Sequence, residues 1–164
     1  LQGLLLQQAL RVGLKMIKQT KNYEMIRDML FNDKELYDRI SDDYTDAENW
    51  QPDKSIWIGY YENDECLALL SASDENAIVL NIHLHIPEKN RGKDSFKIGN
   101  GLVKFIEKHC DKRFVKINVK VPVIFKDSIR FSEKLGFLKE GVDRMSYIKN
   151  GKIIDRIMFG KIIR

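Results

Sequence analysis

Cysteine, proline and long apolar runs are scarce in this 164-residue sequence, and each shortage removes a class of protein. The two cysteines, Cys66 and Cys110, stand in no C-x-x-C or metal-ligand spacing, so no disulfide framework is expected and a reducing cytoplasm is the expected location. The one strongly apolar stretch, LQGLLLQQALRVGL, is interrupted by three Gln and one Arg. It is too short to span a bilayer and lacks a signal-peptide cleavage pattern, so membrane insertion is not expected. Charge of one sign is also modest. The net +4 is not gathered into a single Lys/Arg run, which gives no footprint for nucleic acid.

What is present is the balance of a globular domain, with 43% hydrophobic and 32% charged residues in a chain long enough to bury one core. Residues 1–15 differ from the rest in being Leu- and Gln-rich and are read as an extension; residues 16–164 form one domain. Leu1, Leu4, Leu5, Leu6, Ala9, Leu10 and Leu14 could make a helical stripe that packs on the domain or on a second copy, giving a homodimer.

A strand is expected at KMIKQT, followed by a helix capped by Asn22 and a short helix KELYDRIS. Asp42 to Lys54 is a polar loop. SIWIGYYEN and CLALLSAS form a hairpin turning at Asn63 and Asp64. From Ala77 to Ile86 the alternation places Ile78, Leu80, Ile82, Leu84 and Ile86 on one face and Asn81, His83 and His85 on the other, with Pro87 ending the strand. A basic loop carrying Lys89, Arg91, Lys93 and Lys97 leads to the helix GLVKFIEKHC, then to the strand VKINVKV. Asp127 or Ser128 is expected to cap the helix SIRFSEKL, which Gly136 terminates. The closing hairpin turns at Asn150-Gly151.

This order resembles the GCN5-related N-acetyltransferase (GNAT) superfamily from about Lys15 onward. Two stretches carry the resemblance. LHIPEKNRGKDSFKIGNGLVKFIE looks like the family's pyrophosphate-binding motif, and SIRFSEKLGF with Glu140-Gly141 is similar to its last helix and following turn. A narrower likeness, to GNAT-like proteins of tailed bacteriophages, rests on Ile40 to Asp43, His85 with Pro87, Arg91-Gly92, Val121-Pro122, Ser146, Lys149 to Gly151 and Asp155.

The resemblance implies an α/β (α+β) GNAT fold, a mixed central sheet of about six to seven strands flanked by helices. It also implies transfer of an acetyl group from acetyl-CoA to an amine of a small molecule or protein. The alternative it leaves open is a catalytically inactive phage protein with an assembly or binding role. The expected acetyl-CoA site comprises Leu84, His85, Ile86, Arg91, Gly92, Lys93, Ser95, Lys97 and Gly99, with Phe125 and Ser128 from the last helix. Its pyrophosphate would meet backbone N–H groups at a helix N-terminus. The family's R/Q-x-x-G-x-G/A pattern requires glycines where Asp94 and Phe96 stand, and Gly99 fits only if the match shifts by three residues.

Catalysis needs a base, an oxyanion donor and optionally an acid for the departing thiolate. His83 and His85 are the candidate bases, each equally a packing residue. Near Leu84 to Ile86 a backbone N–H would serve the oxyanion. Ser132 occupies the position of the family's tyrosine acid, and Tyr147 could replace it. Asp42, Asp43 and Trp50 border the acceptor site, as ligands of a cationic substrate or as caps. No metal is expected, since the His pair lacks further ligands nearby.

Overall fold

The computed structural model describes residues 10–12, 15–52 and 54–164. In chain order the elements are β1 (Leu10–Val12), β2 (Lys15–Thr20), α1 (Tyr23–Asn32), α2 (Lys34–Ile40), β3 (Ile56–Glu62), β4 (Glu65–Asp74) and β5 (Val79–His85). After a 3-10 turn at Glu88–Asn90 come α3 (Ser95–His109), β6 (Lys116–Pro122), α4 (Lys126–Lys134), β7 (Leu138–Lys149) and β8 (Lys152–Ile162). The strands form one sheet in the order β1-β2-β3-β4-β5-β6-β8-β7, all antiparallel neighbours except the parallel pair β5 and β6. This is the mixed sheet flanked by helices that the resemblance implies. Most of the stripe expected along residues 1–15 lies outside the described residues; Leu10–Val12 within it are a strand, not a helix.

Two cores sandwich the sheet. The larger joins Ile58, Leu70, Leu80, Ile82 and Ile117 to Leu102, Val103 and Ile106 of α3 and Leu135 after α4. The smaller packs Ile26 and Leu30 of α1 on Trp57 and Leu69. The alternation along β5 decides which side chain goes where: Leu80 and Ile82 are fully buried toward α3, while His83 and His85 point to the α1/α2 side. Ile78, expected in the same apolar row, is 52% exposed. It sits before the strand, where the Asn76 side chain accepts from the N–H groups of Ile78 and Val79 and turns the chain.

Two further boundaries differ from expectation. Helix α3 begins at Ser95, six residues before the expected start, because Ile98 and Leu102 extend the apolar stripe through Gly99. A Cβ at Gly99 would lie 2.8 Å from Phe131 Cζ, so glycine there permits α3 and α4 to approach, offsetting its poor helix propensity. At α4 neither Asp127 nor Ser128 is the cap. Phe125 holds that position without a side-chain hydrogen bond, and Asp127 lies in the first turn.

The polar loop after α2 is tied to the final hairpin. Asn150 and Gly151, both at positive φ, form the turn, and their N–H groups each donate to a different carboxylate oxygen of Asp43 at 2.7 Å. The buried Lys149 ammonium donates to the carbonyls of Asp38 and Ser41. Replacing Asp43 by Ala removes both acceptors at once. We expect Asp43→Ala to lower stability by about 1–3 kcal/mol, read as a lower urea midpoint at unchanged m-value.

Candidate functional site

β5 and β6 are paired only from Val79↔Lys116 to Asn81↔Asn118. Beyond that each strand follows its other neighbour, β5 along β4 as far as Leu69↔His85 and β6 along β8 as far as Pro122↔Arg156. The strands therefore splay, and a cleft of about 800 Å³ reaches both sides of the sheet. On the helical side it is lined by Ser95 at the start of α3 and by Phe125, Ser128, Phe131 and Ser132 of the α4 region. On the other side it is lined by Phe31, Trp50, Trp57, Ser71, His83 and His85.

The cleft thus gathers His83, Leu84, His85, Ile86, Arg91, Ser95, Phe125, Ser128, Ser132, Asp42 and Trp50 from the residues expected at the site. Gly92, Lys93 and Lys97 instead border a separate depression of about 220 Å³ beside Lys15 and Lys89. Gly99 is buried against α4, and Asp43 is engaged by the hairpin turn. Trp57, Ser71, Lys120 and Arg156 line the cleft without having been singled out. The polar positions Asn118 and Lys120 alternating with Ile117, Val119 and Val121 were the one signal that could have found Lys120.

The loop before α3 is held by its own charges. Arg91 Nε donates to the Ile86 carbonyl at 2.8 Å, and its guanidinium pairs with Glu35 of α2. Lys89 pairs with Glu65 at 2.6 Å. Arg91 therefore fastens the end of β5 to α2 rather than projecting freely toward a ligand. Asp94 occupies the N-cap of the 15-residue α3 but makes no side-chain cap bond, and the Ser95 hydroxyl turns back to the Gly92 carbonyl. The first-turn amides keep the partial positive charge of an uncapped helix end.

A second fastening crosses the cleft. Arg39 of α2 pairs with Asp127 of α4 at 2.7 Å and lies over the Phe125 ring. The Arg39 guanidinium holds the Asp127 carboxyl below its usual range.

The two histidines differ sharply. His85 is 7% exposed, shares a hydrogen bond with Ser71 Oγ at 3.2 Å, and stands 5.4 Å from the Trp57 ring. Burial, with a smaller contribution from His83, depresses its pKa from near 6.5 to about 3. His85 therefore stays neutral at physiological pH, with its basicity lowered by burial. His83 is exposed, and its Nε2 shares a hydrogen bond with the Asn81 side-chain amide at 3.2 Å. Neither candidate acid is at liberty. The Ser132 hydroxyl donates to the Ser128 carbonyl at 3.0 Å. That of Tyr147 donates to the Ser41 carbonyl, its pKa pushed up to about 12 by burial and by the carboxylates of Asp42, Asp38 and Asp43. Among the described residues no cluster of His, Cys, Asp and Glu could hold a metal ion, and no helix is long and apolar enough to cross a membrane.

No protein-family model matches the chain, and no curated protein matches it in sequence. Solved structures do match in fold. Ribosomal-protein-S5-alanine acetyltransferase from Vibrio fischeri superposes with a TM-score of 0.74 at 13% identity, covering 95% of this chain and 97% of that one. Spermidine N-acetyltransferase from Vibrio cholerae, in complex with CoA and spermine, gives 0.73 at 12% identity, covering 91% and 95%. The putative acetyltransferase yncA from Salmonella typhimurium, with acetyl-CoA, gives 0.71 at 14% identity, covering 93% and 95%. The chain has the GNAT acyltransferase fold.

The depressed His85 pKa has a measurable consequence. Below pH 6.5 the unfolded chain takes up a proton at His85 that the folded chain refuses, so stability falls as pH drops from 6.5 toward 3. Between pH 6.5 and 5 the loss is about 2 kcal/mol. Urea unfolding at the two pH values should show that loss in the parent protein and a clearly smaller one in His85→Asn.

Proposed function

We propose that this chain is an acetyl-CoA-dependent N-acetyltransferase that acts on an amine of a small molecule or protein in the cytoplasm. The observation carrying this reading is the splay of β5 from β6, which opens one continuous cleft from the uncapped N-terminus of α3 to the histidine face of the sheet. A cosubstrate whose pyrophosphate meets the α3 amides would run along α4, past Ser128, Phe131 and Ser132, and bring its thioester to the edge of β5 that β6 has left. N–H groups of the Leu84 to Ile86 segment on that edge would then serve the thioester oxyanion. Acetyl-CoA supplies the activated acetyl group. The chain would supply the channel, oriented amides, and His83 as the group that takes the ammonium proton of the acceptor.

With the Tyr147 hydroxyl donating to the Ser41 carbonyl, the thiolate would leave without proton donation from it. That is tolerable for a thiol of pKa about 8.5. The same bond motivates a second reading: a protein of this fold that binds CoA or a partner without turnover, in a phage assembly role of the kind the sequence resemblance implies. Ser132 and Tyr147 both donating to backbone carbonyls is the observation behind it.

Calorimetric titration with acetyl-CoA separates these readings from neither being right. Saturable binding below millimolar concentration is expected; its absence would remove the enzyme reading. If binding is seen, release of CoA thiol over a broad panel of amines distinguishes turnover from a silent site. Where turnover is found, His83→Ala should lower kcat by about 10²-fold or more while acetyl-CoA affinity is kept. An unaltered kcat would take His83 out of catalysis.

A further inference from the structure

The acceptor side of the cleft is built asymmetrically. Its wall toward α1 and β3 is a file of rings: Phe31 lies 5.7 Å from Trp50, Trp50 6.2 Å from Trp57, and Trp57 5.4 Å from His85. Trp57 and His85 are 6% and 7% exposed. Buried Trp57 Nε1 and His85 Nδ1 meet no hydrogen-bond partner among the described residues. Such orphaned groups are costly until something polar reaches them.

The opposite wall is cationic. Lys120 of β6 and Arg156 of β8 both pair with the one carboxylate of Asp143, at 3.3 and 3.2 Å, which leaves one positive charge of the trio unneutralised at the cleft. Strand alternation puts them on the histidine face of the sheet: Asn81 pairs with Asn118, His83, His85 and Lys120 follow at two-residue steps, and Arg156 pairs with Pro122. Among the described residues the carboxylates lining the cleft are Asp42, which accepts from Tyr44 N and Thr45 Oγ1, and Asp127, which Arg39 already holds. A polycationic acceptor would therefore meet the net-positive Lys120–Asp143–Arg156 trio, with Asp42 the lining carboxylate that no ion pair among the described residues holds.

We infer that the acceptor is a small amine built on an aromatic ring and carrying a carboxylate. Its ring lies against the Trp50 and Trp57 wall, its acid group meets Lys120 and Arg156, and its amine is presented at the splay beside His83. A carboxylate there adds the anion that the Lys120–Asp143–Arg156 trio lacks, and charge-assisted hydrogen bonds of this kind are the strong ones. This inference rests on the acetyl-transfer reading for the place of the amine, but the pocket can be tested apart from it.

The sequence contains two tryptophans, and both line the site, so intrinsic fluorescence reports occupancy with or without CoA. We would titrate L-phenylalanine, 2-phenylethylamine and spermine in turn, with and without CoA present. L-Phenylalanine should give a saturable change in tryptophan emission at a concentration about tenfold or more below that needed for 2-phenylethylamine, the difference of one charge-assisted hydrogen bond. Spermine should be weaker still. Arg156→Gln and Lys120→Gln should each erode the preference for L-phenylalanine while leaving the 2-phenylethylamine response in place. Equal or tighter binding of 2-phenylethylamine or spermine, or no response to L-phenylalanine, overturns the inference. Acetyl-CoA binding without that preference leaves the acetyl-transfer reading standing and defeats the acceptor assignment; the preference without acetyl-CoA binding does the reverse.

Discussion

The parting of β5 from β6 after Asn81 and Asn118 imposes the main constraint on this fold. Backbone polar groups released from a ladder inside a protein are costly unless something else meets them. Each strand remains paired on its outer edge, to β4 and to β8, so the groups released are those that face the cleft. The helices then have to bridge the gap. α3 and α4 do so on one side through the Gly99 to Phe131 contact, and Arg39 with Asp127 joins α2 to α4 over it. That ion pair has a partner 61% exposed, so its contribution is orientation more than stability.

The splay also explains why the middle of a well-packed sheet carries a polar row on one face. Where β5 and β6 are in contact, the α1/α2 side bears Asn81 and Asn118; where they part, it bears His83, His85 and Lys120. Burial sorts these groups by chemistry. His85, shielded by Trp57 and Ser71, remains neutral to low pH and acts as a fixed polar surface. His83 stays within reach of solvent, two residues along the same face. One His-x-His pair thus holds a buried, neutral imidazole and an exposed one.

Most of the fold was legible because its signals are local. Period-two alternation, Asn22, the positive-φ pairs Asn63-Asp64 and Asn150-Gly151, and Gly136 each mark an element edge that the structure reproduces. The start of α3 was not, since Gly99 and Gly101 lower helix propensity in sequence while their value lies in tertiary contacts with Phe131, Ile17 and Tyr60. The candidate site was legible along single strands and helices: His83, His85, Phe125, Ser128 and Ser132 all line the cleft. Trp57, Lys120 and Arg156 depend on how β3, β6 and β8 align sideways, which no spacing within one segment encodes. The ion pairs of the charged loop were out of reach for a related reason: the partners of Arg91 and Lys89, Glu35 and Glu65, are far away in sequence.

The missing glycines of the phosphate loop can be understood from the same fastening. Glycines in such a loop serve tight turning and close approach of backbone to an anion. Here the turn is made otherwise: a 3-10 turn at Glu88–Asn90 follows Pro87, the Asn90 side chain donates to the Leu67 carbonyl, and Arg91 bonds back to Ile86. Since α3 already begins at Ser95, Phe96 is a helical residue and requires no unusual backbone. Asp94 is the position where a side chain could have defeated anion binding by capping the helix itself, and it makes no such bond. The departures from the family pattern therefore alter how the loop is held more than what its helix end can receive. Affinity for a pyrophosphate would rest on the backbone dipole of α3, with Lys93 and Lys97 facing the neighbouring depression instead of the cleft.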